Sequence, residues 1–206
     1  MKRLISALAL GFLFTACSFG QIGFGIKGGV NFATIGGADA GPGIKSRTGF
    51  AAGGYLEVSL PFLLTIQPEV LYTTKGCIFD QSLSRFGQPV SVTQTNTYSY
   101  LEIPVLVKYS LPVPVVKPSL YVGPEVGFLL SAKDKFEETG AQTTETDIKS
   151  FIAGTDFGAV FGASAHILVA DLDLRYTLGL KSTSKAVSTA KVYNRVFSIM
   201  VQFPLF

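Results

Sequence analysis

Charge is scarce in this sequence of 206 residues, because Asp, Glu, Lys and Arg make up only 15% of it, against roughly 25% in average soluble domains. It holds one histidine, two cysteines and no tryptophan. A content of 48% hydrophobic and 12% aromatic residues excludes an intrinsically disordered chain. Beyond the first 20 residues, no apolar run reaches the roughly 18 positions that a membrane-spanning helix needs, which excludes a helical membrane protein.

The low net charge argues against a nucleic-acid partner. The chain carries 17 basic and 14 acidic residues, a formal charge of +3. Two of the bases, Lys2 and Arg3, lie in a segment that we expect to be removed, which leaves a nearly neutral protein. Nucleic-acid binding needs a strongly basic surface, and this composition does not supply one.

The first residues have the order of a secretory signal peptide. A basic pair is followed by an apolar run over residues 4–14 and then by small residues, which is the arrangement of such signals. We predict cleavage before Gln21. The chain then divides into a signal peptide over residues 1–20 and one barrel domain over residues 21–206.

The two cysteines leave one alternative open at this end of the chain. Residues 14–17 are similar to a lipoprotein signal ending in Cys17, although a phenylalanine stands where such signals usually have leucine. If the signal is removed, Cys77 remains alone and no intramolecular disulfide forms. We interpret Cys77 as a small residue in a loop rather than a reactive thiol.

Apolar and polar residues alternate with a period of two in eight segments of the chain, and this alternation predicts β-strands. In one of them Leu172, Leu174 and Tyr176 oppose Asp173 and Arg175 on the other face. Strands of about 11 to 14 residues, tilted by about 40°, would cover a membrane's apolar band of roughly 25 Å. The segments cover residues 22–32, 49–59, 64–73, 100–109, 119–128, 156–164, 171–178 and 196–203.

The connections between these segments alternate between long and short. We predict long loops over residues 34–47, 75–96, 132–150 and 181–191, and short turns over residues 60–62, 111–116 and 166–168. Outer-membrane barrels have this pattern, with short periplasmic turns and longer external loops. The sequence therefore predicts an all-β protein, an eight-stranded antiparallel up-and-down transmembrane β-barrel, with the second and third external loops as the places to look for binding.

The chemistry of the two faces decides which one points outward. The apolar face is nearly free of charge, as contact with lipid requires. The other face consists mainly of glycine, serine, threonine and scattered charges, which suits a narrow lumen. Aromatic residues fall near both ends of the outward face, as interfacial girdles do: Phe24 and Tyr109 at one end, Phe32, Phe50, Tyr72 and Phe128 at the other.

We expect the inward-facing charged side chains to form a polar network in the lumen, because buried charges must be paired. The interpretation that we favour is a plug, since the interior of an eight-stranded barrel is just wide enough for side chains to fill. A cation or proton path, and with it a narrow passive channel, is the alternative. The members of the expected network are Lys27, Glu57, Glu69, Glu102, Lys108, Glu125, Asp156, Asp173 and Arg175.

Enzymatic and cofactor chemistry finds little support in the sequence. Nucleophilic hydrolysis needs a Ser or Cys beside a positioned base, but the single histidine, His166, falls in a short turn and has no compelling partner. Clusters of His and Cys that could hold a metal are absent. The spacing Gly23-x-Gly25-x-x-Gly28 matches a dinucleotide fingerprint but lies inside a strand, without the helix that holds the pyrophosphate. We therefore expect no catalytic residues, metal or cofactor, and keep an outer-membrane enzyme as the weakest alternative.

Four segments together resemble the PorT-like outer-membrane β-barrel family of Bacteroidota-type bacteria. They are GIKGGVN at 25–31, QPEVLY at 67–72, YLEIPVLVKY at 100–109 and YVGP at 121–124. The resemblance implies an integral outer-membrane barrel. The name-giving member is linked to secretion and gliding machinery, a link that does not by itself extend to a generic relative.

The same segments place prolines inside strands, where proline removes a donor from the ladder. Pro68, Pro104, Pro118 and Pro124 are such positions, and we expect β-bulges to accommodate them. The expected partners are outer-membrane lipid, the barrel assembly machinery that reads a terminal alternating strand such as residues 196–203, and an envelope or secretion complex.

Overall fold

The computed structural model describes residues 21–37, 43–85, 88–113, 116–138, 142–183 and 192–206. The predicted signal peptide, and Cys17 within it, lie outside these residues. No helix in the described ranges is long and apolar enough to cross a membrane. The strands are β1 (Ile22–Gly36), β2 (Ile44–Leu60), β3 (Leu64–Arg85), β4 (Gln88–Ser110), β5 (Lys117–Glu138), β6 (Thr144–Asp147), β7 (Thr155–Ile167), β8 (Ala170–Gly179) and β9 (Tyr193–Pro204), with one 3₁₀ turn at Lys149–Phe151.

Eight of the strands close into a ring. They are hydrogen-bonded in the order β4-β3-β2-β1-β9-β8-β7-β5, and β5 pairs with β4 to complete the circle. All of these pairings are antiparallel. The predicted eight-stranded up-and-down barrel is thereby confirmed, and the four-residue β6 is an addition that pairs with β5 outside the ring.

The two faces of the sheet separate as the alternation predicts. On β8 the outward Leu174 is 42% exposed, whereas its neighbours Asp173 and Arg175 are 0% and 3% exposed. The outer face is apolar and carries stacked aromatic pairs, such as Phe32 with Phe197 at 6.5 Å between ring centroids. The inner face holds the buried polar side chains, so this small barrel has a polar interior and an apolar exterior.

Two of the predicted long loops are wrong, because the chain continues there as strand. β3, β4 and β5 are 22, 23 and 22 residues long, well beyond the predicted 11 to 14. Pairing between β3 and β4 runs without interruption from Leu71 opposite Glu102 to Arg85 opposite Gln88. The expected loop over residues 75–96 is therefore a hairpin, and most of the expected loop over residues 132–150 consists of the end of β5 and of β6.

We call the part of this wall that rises above the rest of the ring the external sheet, formed by residues 77–85, 88–97, 133–138 and 144–147. Parts of it are polar at successive positions, as in the stretch TQTNT at 93–97, and lack the alternation of apolar and polar residues that marked the other segments. Cys77 lies at its base in β3 and is fully buried, not in a loop as we expected.

The in-strand prolines do not sit at bulges. The two shifts of register lie between Ser46 and Ala51 and between Ser99 and Tyr100. Beside two of the prolines the ladder is interrupted and then resumes in the same register: β2–β3 pairing breaks next to Pro68, and β4–β5 pairing breaks next to Pro124. At these two positions the missing proline donor coincides with a local gap in pairing, without an extra residue. Pro118 lies at the second position of β5, where pairing with β7 is unbroken.

Candidate functional site in the barrel lumen

The end of the barrel with short connections is called the turn end, and the opposite end the loop end. Near the turn end, inward positions of β1, β3 and β8 bring four buried charges together, the turn-end cluster: Lys27, Glu69, Asp173 and Arg175. The Lys27 Nζ lies 2.9 Å from Glu69 Oε1 and 2.8 Å from Asp173 Oδ2. The Arg175 Nη2 lies 2.9 Å from the same Glu69 oxygen. Two positive and two negative groups neutralise each other here, which is the condition for burying charge.

Neutral side chains extend this cluster. The Gln67 Nε2 donates to Glu69 Oε1 at 2.6 Å and to Gln202 Oε1 at 3.0 Å. The hydroxyl of Tyr121 donates to the carboxylate of Asp173. The Tyr121 ring lies directly over Gly162, where any Cβ would collide with it. A glycine on the inner wall therefore provides the space that the tyrosine occupies.

A separate ion pair lies closer to the mouth of the turn end. The Lys108 Nζ is 3.0 Å from Glu57 Oε1 and donates to Gln67 Oε1 at 2.8 Å. The side chain of Glu57 is 29% exposed and that of Lys108 is 7% exposed. Gln67 thus connects this pair, of which only Glu57 is partly exposed, to the fully buried turn-end cluster.

The loop-end cluster consists of Lys75, Glu102, Glu125 and Asp156. The Lys75 Nζ lies 2.5 Å from Glu102 Oε1 and 3.3 Å from Glu125 Oε1. Asp156 accepts a hydrogen bond of 2.7 Å from Asn194 Nδ2. One ammonium group faces three carboxyl groups, so the formal charge of this cluster is −2, in contrast to the balanced turn-end cluster.

The nine side chains expected in the lumen are divided among these groups. The structure places four in the turn-end cluster, Glu57 and Lys108 in the pair at the mouth, and the remaining three carboxylates in the loop-end cluster. Sequence reasoning missed Lys75, the cation of the loop-end cluster, because it ended the third strand at Thr73. The alternation of inward positions Gln67, Glu69, Leu71 and Thr73 leads directly to Lys75 and could have found it.

Apolar side chains fill the space around the charged groups. Leu71, Leu106, Val160, Val196 and Met200 are each at most 2% exposed and lie on the inner face. The cavity between the two clusters has a volume of about 10 Å³ and is bordered by both of them, through Arg175 on one side and Lys75 on the other. Such a volume holds about one water molecule.

A hydrophobic group lies near the loop end. Tyr98, Tyr100, Leu129 and Ala132 form a buried cluster, and Ile148 and Ile152 of the segment before β7 pack against it. The amide of Ile148 donates to the carbonyl of Ala132 at 3.0 Å, which fixes this segment in place.

The turn end opens into a polar vestibule of about 260 Å³. His166 and Asp171 line it, with His166 Nδ1 at 2.7 Å from Asp171 Oδ1. We expected no compelling partner for this histidine, but the structure provides a carboxylate, because β7 and β8 pair His166 directly with Asp171. His166 lies within β7 and not in the short turn where we placed it. Among the described residues, no group of three or more His, Cys, Asp or Glu side chains could hold a metal ion.

Comparison with protein families assigns the chain. Residues 15–185 match the family described as outer membrane protein beta-barrel domain. The chain belongs to this family. It is accordingly an integral protein of the outer membrane, with its apolar face against lipid. The short turns of outer-membrane barrels are periplasmic, so the turn end is periplasmic and the loop end lies outside the cell.

Solved structures of other outer-membrane proteins resemble this family member at low identity. The attachment invasion locus protein Ail of Yersinia pestis, crystallised in complex with the heparin analogue sucrose octasulfate, is 12% identical, with a TM-score of 0.47 over 91% of this chain and 99% of that one. Neisserial surface protein A is 15% identical, with a TM-score of 0.45 over 87% and 96%. OprG of Pseudomonas aeruginosa is 9% identical, with a TM-score of 0.38 over 91% and 97%. No curated protein sequence matches the chain.

Proposed function

We propose that this outer-membrane barrel is a non-enzymatic scaffold with a plugged lumen, which acts through its external sheet on a partner outside the cell or within an envelope complex. The observation that carries the proposal is the sheet itself. Nine residues of β3, 77–85, rise beyond the apolar wall, and they extend by about 30 Å along the strand. A barrel that only had to anchor itself in lipid would not need this wall.

The packing of the lumen supports the plug. An ion crossing the barrel would have to pass both charged clusters and the cavity of about 10 Å³ between them. Separating a buried ion pair from its partner costs about 3–5 kcal/mol. Several such pairs lie along the path, so their combined rupture is a high barrier to conduction.

Backbone pairing builds the external sheet, and exposed ion pairs cross its strands. Lys45 Nζ lies 2.7 Å from Asp80 Oδ2, between β2 and β3, and Lys133 Nζ lies 2.6 Å from Glu145 Oε1, between β5 and β6. Polar surfaces that project from a rigid scaffold commonly carry binding function. The partner we propose is therefore a polar macromolecular surface that reaches the outside of the membrane.

We propose that, within its family, this chain is related to the PorT-like barrels. That relationship is consistent with a place in an envelope or secretion complex. The alternating outward face of β9, with Phe197, Ile199, Val201 and Phe203, is the segment that we propose the barrel assembly machinery reads. Outer-membrane lipid surrounds the rest of the wall.

The proposal can be tested by shortening the hairpin. Removal of residues 80–93 and closure of Phe79 to Gln94, which face each other in the ladder, with an Asn-Gly turn keeps the ring intact. Cross-linking on intact cells followed by identification of captured proteins should recover a partner with the full chain and lose it with the shortened one. A Thr177→Ser variant, a mild change on the buried inner face, should retain it. Identical capture by all three would contradict a role for the external sheet.

A narrow channel is the second candidate, favoured by the polar vestibule and the charged lumen. Reconstitution into planar bilayers separates the two candidates. The plug predicts no discrete conductance steps from the unmodified protein, and regular steps would establish the channel. An enzyme using His166 and Asp171 would show turnover on lipid or peptide substrates that His166→Ala abolishes, and we expect no such activity.

A further inference from the structure

The periplasmic connections of this barrel are apolar, although turns at a membrane surface usually carry polar residues. The turn after β2 contains Phe62, the turn after β7 contains Leu168 and Val169, and Phe206 follows β9. Their exposed fractions are 88%, 88%, 75% and 85%, about twice those of typical outward wall residues such as Leu174. We call the exposed apolar residues of this end the apolar collar: Phe62, Leu63, Leu111, Val113, Val116, Leu168, Val169, Leu205 and Phe206.

Three of these apolar residues occupy backbone positions that large side chains rarely adopt. Phe62, Leu63 and Leu168 have φ angles of 65°, 62° and 59°. Left-handed positions in tight turns are normally filled by Gly, Asn or Asp, which adopt them at little cost. Bulky apolar residues at such positions are unusual. The turns therefore retain phenylalanine and leucine where a polar residue would relieve strain.

The collar surrounds the whole barrel. Its four groups lie at the β2–β3, β4–β5 and β7–β8 turns and beside the β1–β9 contact. In the ring order these are every second junction, so an apolar group stands in each quarter of the circumference. Phe206 also stacks on the lipid-facing Phe24, with 6.1 Å between ring centroids. The collar is therefore continuous with the wall that contacts lipid.

We propose that the apolar collar is immersed in the periplasmic phospholipid leaflet, where it contacts acyl chains just beneath the headgroups. A protein capping this end would have to cover the vestibule and bury Glu57, Lys117 and Asp171 along with the collar. A lipid leaflet touches the collar from the sides and leaves the vestibule open to headgroups and water. The even distribution of the collar around the ring favours lipid for the same reason.

Because the chain has no tryptophan, single Trp variants report on depth without background. Phe62→Trp and Leu168→Trp are reconstituted in vesicles of phosphatidylethanolamine and phosphatidylglycerol that contain lipids brominated at shallow or deep acyl carbons. We expect blue-shifted emission, loss of intensity with brominated lipid that is larger for the shallow label, and little quenching by aqueous iodide. Heat-modifiable migration on gels verifies that each variant is folded.

Two control variants calibrate the measurement. Leu174→Trp, on the lipid-facing wall, should be quenched more by the deep label, and Phe151→Trp, 58% exposed in the external 3₁₀ turn, should respond to iodide alone. If both collar variants behave like Phe151→Trp, the collar projects into water and the proposal is overturned. It is equally overturned if the collar tryptophans become shielded only at high protein-to-lipid ratio, because the collar would then be a contact between copies of the chain.

Discussion

The loop-end cluster depends on a single cation, so replacing Lys75 by methionine should destabilise the barrel strongly. The Lys75 side chain is 2% exposed, and those of Glu102 and Glu125 are 5% and 4% exposed. The variant leaves Glu102, Glu125 and Asp156 without the ammonium group that they surround. Removing one partner of a buried ion pair costs about 3–5 kcal/mol, and with three carboxyl groups left behind we expect at least the lower part of that range.

The measurement is the free energy of unfolding in phospholipid vesicles. Urea titrations in both directions, with the folded fraction read from heat-modifiable migration on gels and from circular dichroism, give this free energy where unfolding is reversible. A Lys75→Met/Glu102→Gln double variant removes one of the uncompensated carboxylates. It should recover part of the loss, and the double-mutant cycle gives the coupling energy between the two side chains.

Lys133→Met provides a matched control. The Lys133 Nζ lies 2.6 Å from Glu145 Oε1, nearly the same separation as the 2.5 Å from Lys75 Nζ to Glu102 Oε1, but its two side chains are 56% and 52% exposed. Exposed ion pairs contribute about 0–1 kcal/mol, so burial is the main difference between the two changes. If Lys75→Met costs no more than Lys133→Met, the argument that the loop-end cluster relies on one buried cation is refuted.

Three further changes probe the wall, the packing of the lumen and the external sheet. Leu174→Arg near the middle of the lipid-facing wall should cost about 2–4 kcal/mol of folding free energy, whereas Thr177→Ser on the inner face should be mild. Gly162→Ala should cost about 1–3 kcal/mol, because the added methyl group collides with the tyrosine ring packed there. Hydrogen bonding to the Lys45 ammonium holds the pKa of Asp80 below its usual value, and Lys45→Met should raise that pKa in an NMR titration.

Each of these expectations has an outcome that would contradict it. Equal tolerance of Leu174→Arg and Thr177→Ser would mean that the two faces are exchanged. For Gly162→Ala the control is Gly154→Ala, where no atom lies within 4 Å of the added methyl group, and equal unfolding free energies would remove the steric argument. A lowered folded-state pKa stabilises the fold above the carboxyl's ordinary value, and this contribution disappears as pH falls through the folded value. An unchanged Asp80 titration in Lys45→Met would exclude the ammonium as the cause.

The barrel itself could be predicted because lipid and lumen impose opposite demands on successive residues. In β8, Leu172 and Leu174 alternate with Asp173 and Arg175. That contrast identifies the segment as a strand and shows which of its faces contacts lipid, and a sheet in lipid must close to pair its backbone groups. The external sheet could not be predicted in this way. Its residues 93–97 are polar on both faces, so only the backbone pairing with β3 and β5 reveals them as strand.

The lumen network was predictable in membership but not in arrangement. The alternation of inward and outward positions places Lys27, Glu69 and Arg175 on the inner face. It does not show that the Lys27 and Arg175 side chains each lie 2.9 Å from the same oxygen of Glu69. The same alternation predicts an inward Lys75 if the third strand continues past Thr73, as it does in the structure. Likewise, the pair of His166 and Asp171 follows from the register of β7 and β8, which alternation cannot supply.

By itself, the sequence determined that this chain forms a membrane barrel, how many strands close its ring and which side chains face lipid, because these follow from the local period of polarity. Only the tertiary structure decided which charges neutralise each other, how far the external sheet rises and how the apolar collar encircles the periplasmic end. Those features depend on strand register and ring closure. They bring together residues far apart in the chain, and no local pattern records which of them will meet.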